Sequence, residues 1–258
     1  AKQFNEMFVL NPKHARAHIN GDIHIHDMDF LTLTTTCCQI DLIKLFAGGF
    51  STGHGVLREP NSISIYAALA CIAIQSNQND QHGGQAIPNF DYSMAPGVAK
   101  SYLKHFYHNL AKAITLLVKL DGEDIATKVK GEMRLKPTLD KNEAFEEQLK
   151  ETLKANKVDK FVDEIVEFAI TSAYEETDRE TYQAMEAFIH NLNTMHSRAG
   201  AQVPFSSINY GMDTSSEGRM VMRNILLATE AGLGHGETPI FPIQIFRVKE
   251  GINYNEGE

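Results

Sequence analysis

Apolar side chains recur along this chain at two different periods. From His18 to Asp29, Ile19, Ile23 and Ile25 fall on one side of an alternation and His24 and His26 on the other. That is the period of a half-buried strand over residues 18–29. Thr32 to Leu42 is rich in Thr and Ile and predicts a second strand. The Ala/Ile/Leu-rich run Ser62 to Ser76 predicts a buried helix. Pro96 opens a longer helix with Val98, Leu103, Phe106, Leu110, Ile114 and Leu117 at three- and four-residue spacings. Residues 121–160 are rich in Lys and Glu and read as a charged, solvated helical insertion. A helical period returns from Phe161 to His196, and a strand is expected over Gln202 to Tyr210. Thr214-x-x-Glu217 is a capping-box candidate for a helix running to Glu230, with Gly232 and Gly234 to end it. Ile240 to Val248 predicts a last strand. Strands alternating with long helices indicate an α/β architecture. No repeat or low-complexity segment interrupts the pattern.

Composition narrows the class. The 258 residues suffice for one large core or two small domains. The net charge of -9 argues against a general nucleic-acid binder, though not against a local nucleotide site. Three cysteines, two of them adjacent, make no disulfide framework and suit a reduced, cytoplasmic setting. No run approaches the roughly 18 apolar residues of a membrane span, and no signal peptide is visible. The chain begins at Ala1 and stops in a polar stretch, the pattern expected of a piece of a longer protein.

Three places carry candidate chemistry. Cys37 is one: a thiol donates hydrogen atoms well and can close a disulfide-type redox step afterwards. A buried structural cysteine is the alternative. Strand alternation should turn Cys38 to the opposite face, so that only one of the pair lines a given pocket. Cys71, in an apolar helix, reads as core. His24-x-His26 places two rings on one strand face. Barrel-type metal hydrolases begin their metal sites this way, and a hydrogen-bonded polar pair reads the same. No further ligand cluster follows, and three cysteines without C-x-x-C spacing exclude a four-cysteine zinc site, so no metal ligands are assigned. Gly83-Gly84, after the polar run Gln78 to His82, lets a backbone approach a ligand or makes a tight turn. Asn193 to Phe205 is a third polar run leading into a strand, a common place for ligands in α/β proteins and also an ordinary loop.

Taken together these stretches resemble one family. His24-Ile25-His26-Asp27, Cys37-Cys38-Gln39-Ile40-Asp41-Leu42, Gly48 to His54, Arg58 to Ile63, Gly83-Gly84, Asn193 to Phe205 and Thr238 to Pro242 occur in the order found in the oxygen-sensitive (class III, anaerobic) ribonucleoside-triphosphate reductases. The resemblance covers nearly the whole chain. It implies the family's ten-stranded α/β barrel, shared with pyruvate formate-lyase-like enzymes. It also implies anaerobic reduction of ribonucleoside triphosphates to deoxyribonucleoside triphosphates by glycyl and thiyl radicals. Cys37, three residues before Ile40-Asp41-Leu42, would be the cysteine that faces the ribose and delivers hydrogen at the 2′ position. His24, His26, Gly83, Gly84, His196 and Ser197 would line the substrate. Ser62 and Lys104 would lie on the paired helices that bind a deoxynucleoside triphosphate or ATP effector in a homodimer.

The resemblance also locates what this chain does not carry. The finger-loop cysteine, the radical glycine, the four-cysteine structural zinc and the N-terminal ATP cone have no counterpart here. Residues 1–258 would then be a partial catalytic barrel domain, inert alone, and no cofactor is expected within it. A radical-SAM activating enzyme would be its partner. Two other readings stay open: a non-catalytic deoxynucleotide-sensing dimerisation module, and another glycyl-radical enzyme of the formate-lyase type. A metal hydrolase is a more distant one.

Overall fold

The structure, a computed structural model, describes residues 1–31, 35–196 and 200–257. Its first half runs α1 (Lys2–Phe4), a π-helical turn (Asn5–Val9), α2 (Pro12–Asn20), a 3-10 turn (Met28–Phe30), β1 (Thr35–Gln39), α3 (Leu42–Phe46), β2 (Phe50–Ser51), β3 (Val56–Leu57), α4 (Ile63–Asp80) and β4 (Gln81–Ile87). There follow α5 (Phe90–Val118), α6 (Gly122–Glu132), α7 (Glu143–Ala155), α8 (Val162–Thr194), β5 (Ser206–Tyr210), α9 (Ser216–Ala231) and β6 (Ile243–Phe246).

Four strands form one parallel sheet in the order β1-β4-β5-β6, and β2 and β3 make a small antiparallel ladder. Parallel neighbours need long crossovers. Here α4 lies between β1 and β4, α5 to α8 between β4 and β5, and α9 between β5 and β6. These helices bury one face of the sheet. Ile87 and Ile208 from the strands meet Ile74, Phe90, Met94, Phe188 and Ile225 from the helices in a single core. The helix-rich α/β expectation therefore holds, as a four-stranded parallel sheet among the described residues.

The two longest helices create a second core. At 1.5 Å per residue, α5 and α8 extend about 44 and 50 Å, well beyond strands whose residues each advance about 3.3 Å. Their distal halves need another surface, which α6 and α7 provide. Phe106, Leu110 and Ile165 pack there with Val129, Phe145 and Leu149, all buried. Residues 121–160 thus hold two helices, but are not solvated throughout: one stripe of each helix is core.

Several expectations are corrected. Residues 18–29 are not a strand. Asn11 caps α2 by accepting from the Lys13 N–H at 2.9 Å, Pro12 occupies its first turn, and Gly21 ends it at φ 83°. Ile19 is consequently 65% exposed on a helix surface, and the alternation at Ile23 to His26 has no partner strand among the described residues. The double glycine is no turn but the middle of β4. Pro96 does not open α5; it sits exposed inside a helix that starts at Phe90. Its missing N–H leaves the Tyr92 carbonyl without an i+4 donor, and buried Phe90, Met94 and Val98 on the opposite side hold the turn. The helix predicted from Thr214 is capped one residue later, where Ser215 Oγ accepts from Gly218 N–H at 3.1 Å. No helix among the described residues is long and apolar enough to cross a membrane.

Candidate active site

Parallel pairing of β1 with β4 slips between Thr36 and Cys38: Thr36 faces His82, and Cys38 faces Gln85. Two residues of β4, Gly83 and Gly84, therefore oppose the single Cys37. This is a β-bulge, and it explains why glycine stands there. Gly83 adopts φ 87°, and a Cβ on it would lie 2.7 Å from Cys37 Sγ. Cys37 is itself left-handed, at φ 46°.

Across the bulge the two cysteines part company. Cys37 lines a cavity with Phe205 and with Gly84, Ala86 and Ser207, the half-buried positions that alternate with buried Gln85, Ile87 and Ser206, on the face away from the helices. The Cys37 thiol is exposed. Cys38 turns to the helical side, where Asn77 Nδ2 of α4 donates to its sulfur at 3.0 Å and to Gln85 Oε1 at 2.9 Å. Burial pushes the Cys38 thiol above its ordinary pKa; the neighbouring Cys37 adds to this, and the Asn77 hydrogen bond opposes it. Both residues nonetheless border one cavity of about 380 Å³, with Gln39, Gly84, Gln85, Ala86, Phe205 and Ser207. The expectation that only one of the pair lines a given pocket fails, because the bulge breaks strict alternation. Cys71 is core as expected, 3% exposed, and its buried thiol is pushed up to about 12.

The Ile40-Asp41-Leu42 triplet ends this strand. Asp41 caps α3 by accepting from Lys44 N–H at 3.2 Å, and Leu42 is fully buried. The fixed spacing from Cys37 to the triplet is thus the geometry of a strand-to-helix junction.

The histidines reach the same end of the sheet from a loop. Asn5 Nδ2 donates to Met28 O at 2.5 Å, and His18 Nδ1 accepts from Ile25 N–H at 3.1 Å. These bonds pin residues 22–28. His24 and His26 are exposed, with ring centroids 5.7 Å apart, and His18 lies 5.8 Å from His24. His26 Nε2 lies 3.6 Å from Asp27 Oδ2. A Cβ on Gly83 would be 3.5 Å from that same carboxylate oxygen. The structure therefore gathers His26, Asp27, Cys37 and Gly83. Asp27 was quoted in the motif His24 to Asp27 but given no role from the sequence; an acid directly after H-x-H was the available signal. His82 was also given no role: its ring stacks on Phe30 at 3.9 Å, and its buried Nδ1 has no hydrogen-bond partner among the described residues. His196 follows α8, exposed, and is neither in this cluster nor in the cavity lining. Ser197 lies outside the described residues.

Lys104 and Ser62 stand elsewhere. Lys104 is exposed on α5 and lines a cleft of about 560 Å³ with His105, His108, Lys130, Glu123 and Glu176. His105 is held between Glu176 at 3.1 Å and Glu180 at 2.9 Å. Burial opposes ionisation of Glu180, but hydrogen bonds from His105, Ser64 and Ser101 outweigh it and hold the carboxyl below the usual range. Ser62 is buried at the start of α4, outside the cleft lining. The next residue's N–H donates to Ser101 Oγ at 3.0 Å, one helical turn before Lys104.

An exposed thiol at a glycine bulge on the open face of a parallel α/β sheet defines a class of site suited to redox work on a bound ligand. The comparisons make the assignment specific. The family model described as "Anaerobic ribonucleoside-triphosphate reductase" matches residues 1–258, and the chain belongs to that family. It is 27% identical over 261 positions to the anaerobic ribonucleoside-triphosphate reductase of Salmonella typhimurium (strain LT2), covering 100% of this chain and 29% of that protein. It is likewise 27% identical over 256 positions to the enzyme of that name from Enterobacteria phage T4, covering 98% and 33%. For Escherichia coli (strain K12) the figures are 26% over 261 positions, with 100% and 29% covered. The chain thus spans about a third or less of the length of these relatives.

Proposed function

We propose that this chain forms part of the catalytic barrel of an anaerobic ribonucleoside-triphosphate reductase, in which Cys37 donates hydrogen to the 2′ carbon of the ribose. The observation that carries this reading is the exposed Cys37 thiol, held opposite Gly83 and Gly84 on the open sheet face of a chain that matches the family throughout. The glycines let the sugar approach the backbone. His24 and His26, on the loop beside Cys37, bind its polar groups. Further strands beside β1 and β6 would complete ten, and residues 121–160 form a helical addition at the far ends of α5 and α8.

The family's structural zinc does not fit these residues. Cys37 and Cys38 are strand neighbours and Cys71 is sealed in the core, so a four-cysteine site cannot assemble from them. Zinc, the radical glycine and the finger cysteine belong to other parts of the protein, and a radical-SAM enzyme installs the radical. The test is anaerobic turnover. Joined to the remainder of its polypeptide and activated, the protein should convert ribonucleoside triphosphates to deoxynucleotides. These 258 residues alone should not. Nucleotide binding without turnover in the joined protein would instead favour a sensing module.

Effector control follows from the same reading. A deoxynucleoside triphosphate at a two-fold dimer interface would meet Lys104, and an ammonium is a good point-charge partner for phosphate. Losing one charge-assisted contact costs on the order of 1.5–3 kcal/mol. Lys104→Ala should therefore weaken effector binding, measured by calorimetry, roughly ten-fold or more, since 1.4 kcal/mol is ten-fold. Unchanged affinity would remove Lys104 from the site.

A further inference from the structure

We propose that His26, Asp27 and Cys37 form a binding site for one thiophilic divalent cation of the zinc class. The ligands would be a ring nitrogen of His26, a carboxylate oxygen of Asp27 and the Cys37 thiolate.

Geometry carries the site. One ligand atom from each residue lies within 4.8 Å of the other two. Tetrahedral zinc, with bonds of about 2.0–2.3 Å, needs ligand atoms about 3.3–3.7 Å apart. The His26 to Asp27 separation of 3.6 Å already meets this. The remaining distances, each within 4.8 Å, need to close by at most about 1 Å to reach that range.

The backbone is shaped for it as well. Asp27 at φ 47° and Cys37 at φ 46° are two of the six non-glycine residues with positive φ among the described residues, and they come from separate segments to one point. Such conformations concentrate at functional sites. The space between thiol and carboxylate is kept open by Gly83, whose absent Cβ would lie 2.7 Å from Sγ and 3.5 Å from Asp27 Oδ2. Sequence spacing could not suggest the trio, because Cys37 lies eleven positions beyond His26 and the β-bulge brings it back.

The donor set selects the cation. Sulfur, nitrogen and oxygen together suit zinc or cobalt and not magnesium or calcium. Three protein ligands leave a fourth position open to water or a substrate oxygen. Binding exchanges the thiol proton for the metal: the proton goes to solvent, an S–metal bond forms and no electron moves. Cys38 is no rival, since its sulfur already accepts from Asn77 on the helical side. On the reading of Cys37 as hydrogen donor, the bound cation removes the S–H and holds the enzyme off; the binding itself does not depend on that reading.

The probe is Co2+, titrated anaerobically into the 258-residue chain. One equivalent should produce a thiolate-to-cobalt charge-transfer band and the intense visible bands of tetrahedral cobalt, both erased by Zn2+. His26→Ala, Asp27→Asn and Cys37→Ser should each weaken binding more than about 100-fold, beyond the 10–100-fold typical of an outer-shell partner. Cys38→Ser should leave it intact. Independently of any variant, Zn2+ should protect Cys37 from iodoacetamide in the unaltered chain, read by peptide mass spectrometry. Absence of the charge-transfer band, its survival in Cys37→Ser, or equal alkylation of Cys37 with and without Zn2+ would overturn the site. None of these readings involves turnover, so their failure leaves the hydrogen-donor role of Cys37 standing, and failure of that role leaves them standing.

Discussion

Cys37→Ala in the complete, activated polypeptide should abolish deoxynucleotide formation while the glycyl radical still forms. The thiol is exposed beside a cavity, so its removal opens no void in the core. Alanine meets the same left-handed backbone that cysteine already occupies at φ 46°, so the fold has little reason to change. What disappears is the one S–H on the open face at the glycine bulge. We expect turnover to fall by more than about 10³-fold, roughly 4 kcal/mol at 1.36 kcal/mol per decade. Chromatography measures the product and electron paramagnetic resonance the radical. Cys38→Ala should retain much of the activity, because that sulfur is engaged by Asn77 beneath the sheet. Full activity in Cys37→Ala, or loss confined to Cys38→Ala, would refute the assignment.

Asp91→Ala should be the most destabilising single substitution outside the apolar core. Asp91 is 1% exposed at the start of α5. Its Oδ2 accepts from the N–H groups of Gly211, Met212 and Asp213 at 2.9, 2.9 and 3.0 Å, and Oδ1 accepts from Tyr92 N–H at 3.0 Å. One carboxylate thus ties α5 to the loop that carries the chain from β5 into α9. Hydrogen bonds to a charged group contribute about 1.5–3 kcal/mol each and do not simply add, and stranded buried donors carry a penalty of similar size. We expect a loss of about 3–5 kcal/mol in urea unfolding. For a chain of this size that is a fall in Tm on the order of 10 °C. Asp91→Asn should recover only part of it, since one acceptor is replaced by a donor facing N–H groups. A loss under about 1 kcal/mol would show that the loop is held by other contacts.

Neither the weight of Asp91 nor the cluster around Cys37 could be read locally. Three of the four donors to Asp91 lie about 120 positions away. The strand β4 was hidden because Gln81 to Gln85 carries no β-branched residue; two parallel neighbours form it, and only Ala86 and Ile87 are apolar. The histidine segment erred in the other direction. Its alternation is real, but a strand needs a partner, and the cap at Asn11 with Pro12 commits the preceding residues to a helix.

Periodic, strongly apolar segments were legible by themselves, since an amphipathic or fully buried helix states its period within its own residues. On that ground the sequence alone determined α4, α8, most of α5, the α/β alternation and, through its ordered motifs, the family. Tertiary structure decided the bulge at Gly83 and Gly84, the side on which each cysteine's sulfur lies, and the meeting of His26, Asp27 and Cys37. The physical reason is range: periodicity is a property of one segment, whereas parallel register and a site built from two segments depend on neighbours that the chain brings together only when it folds.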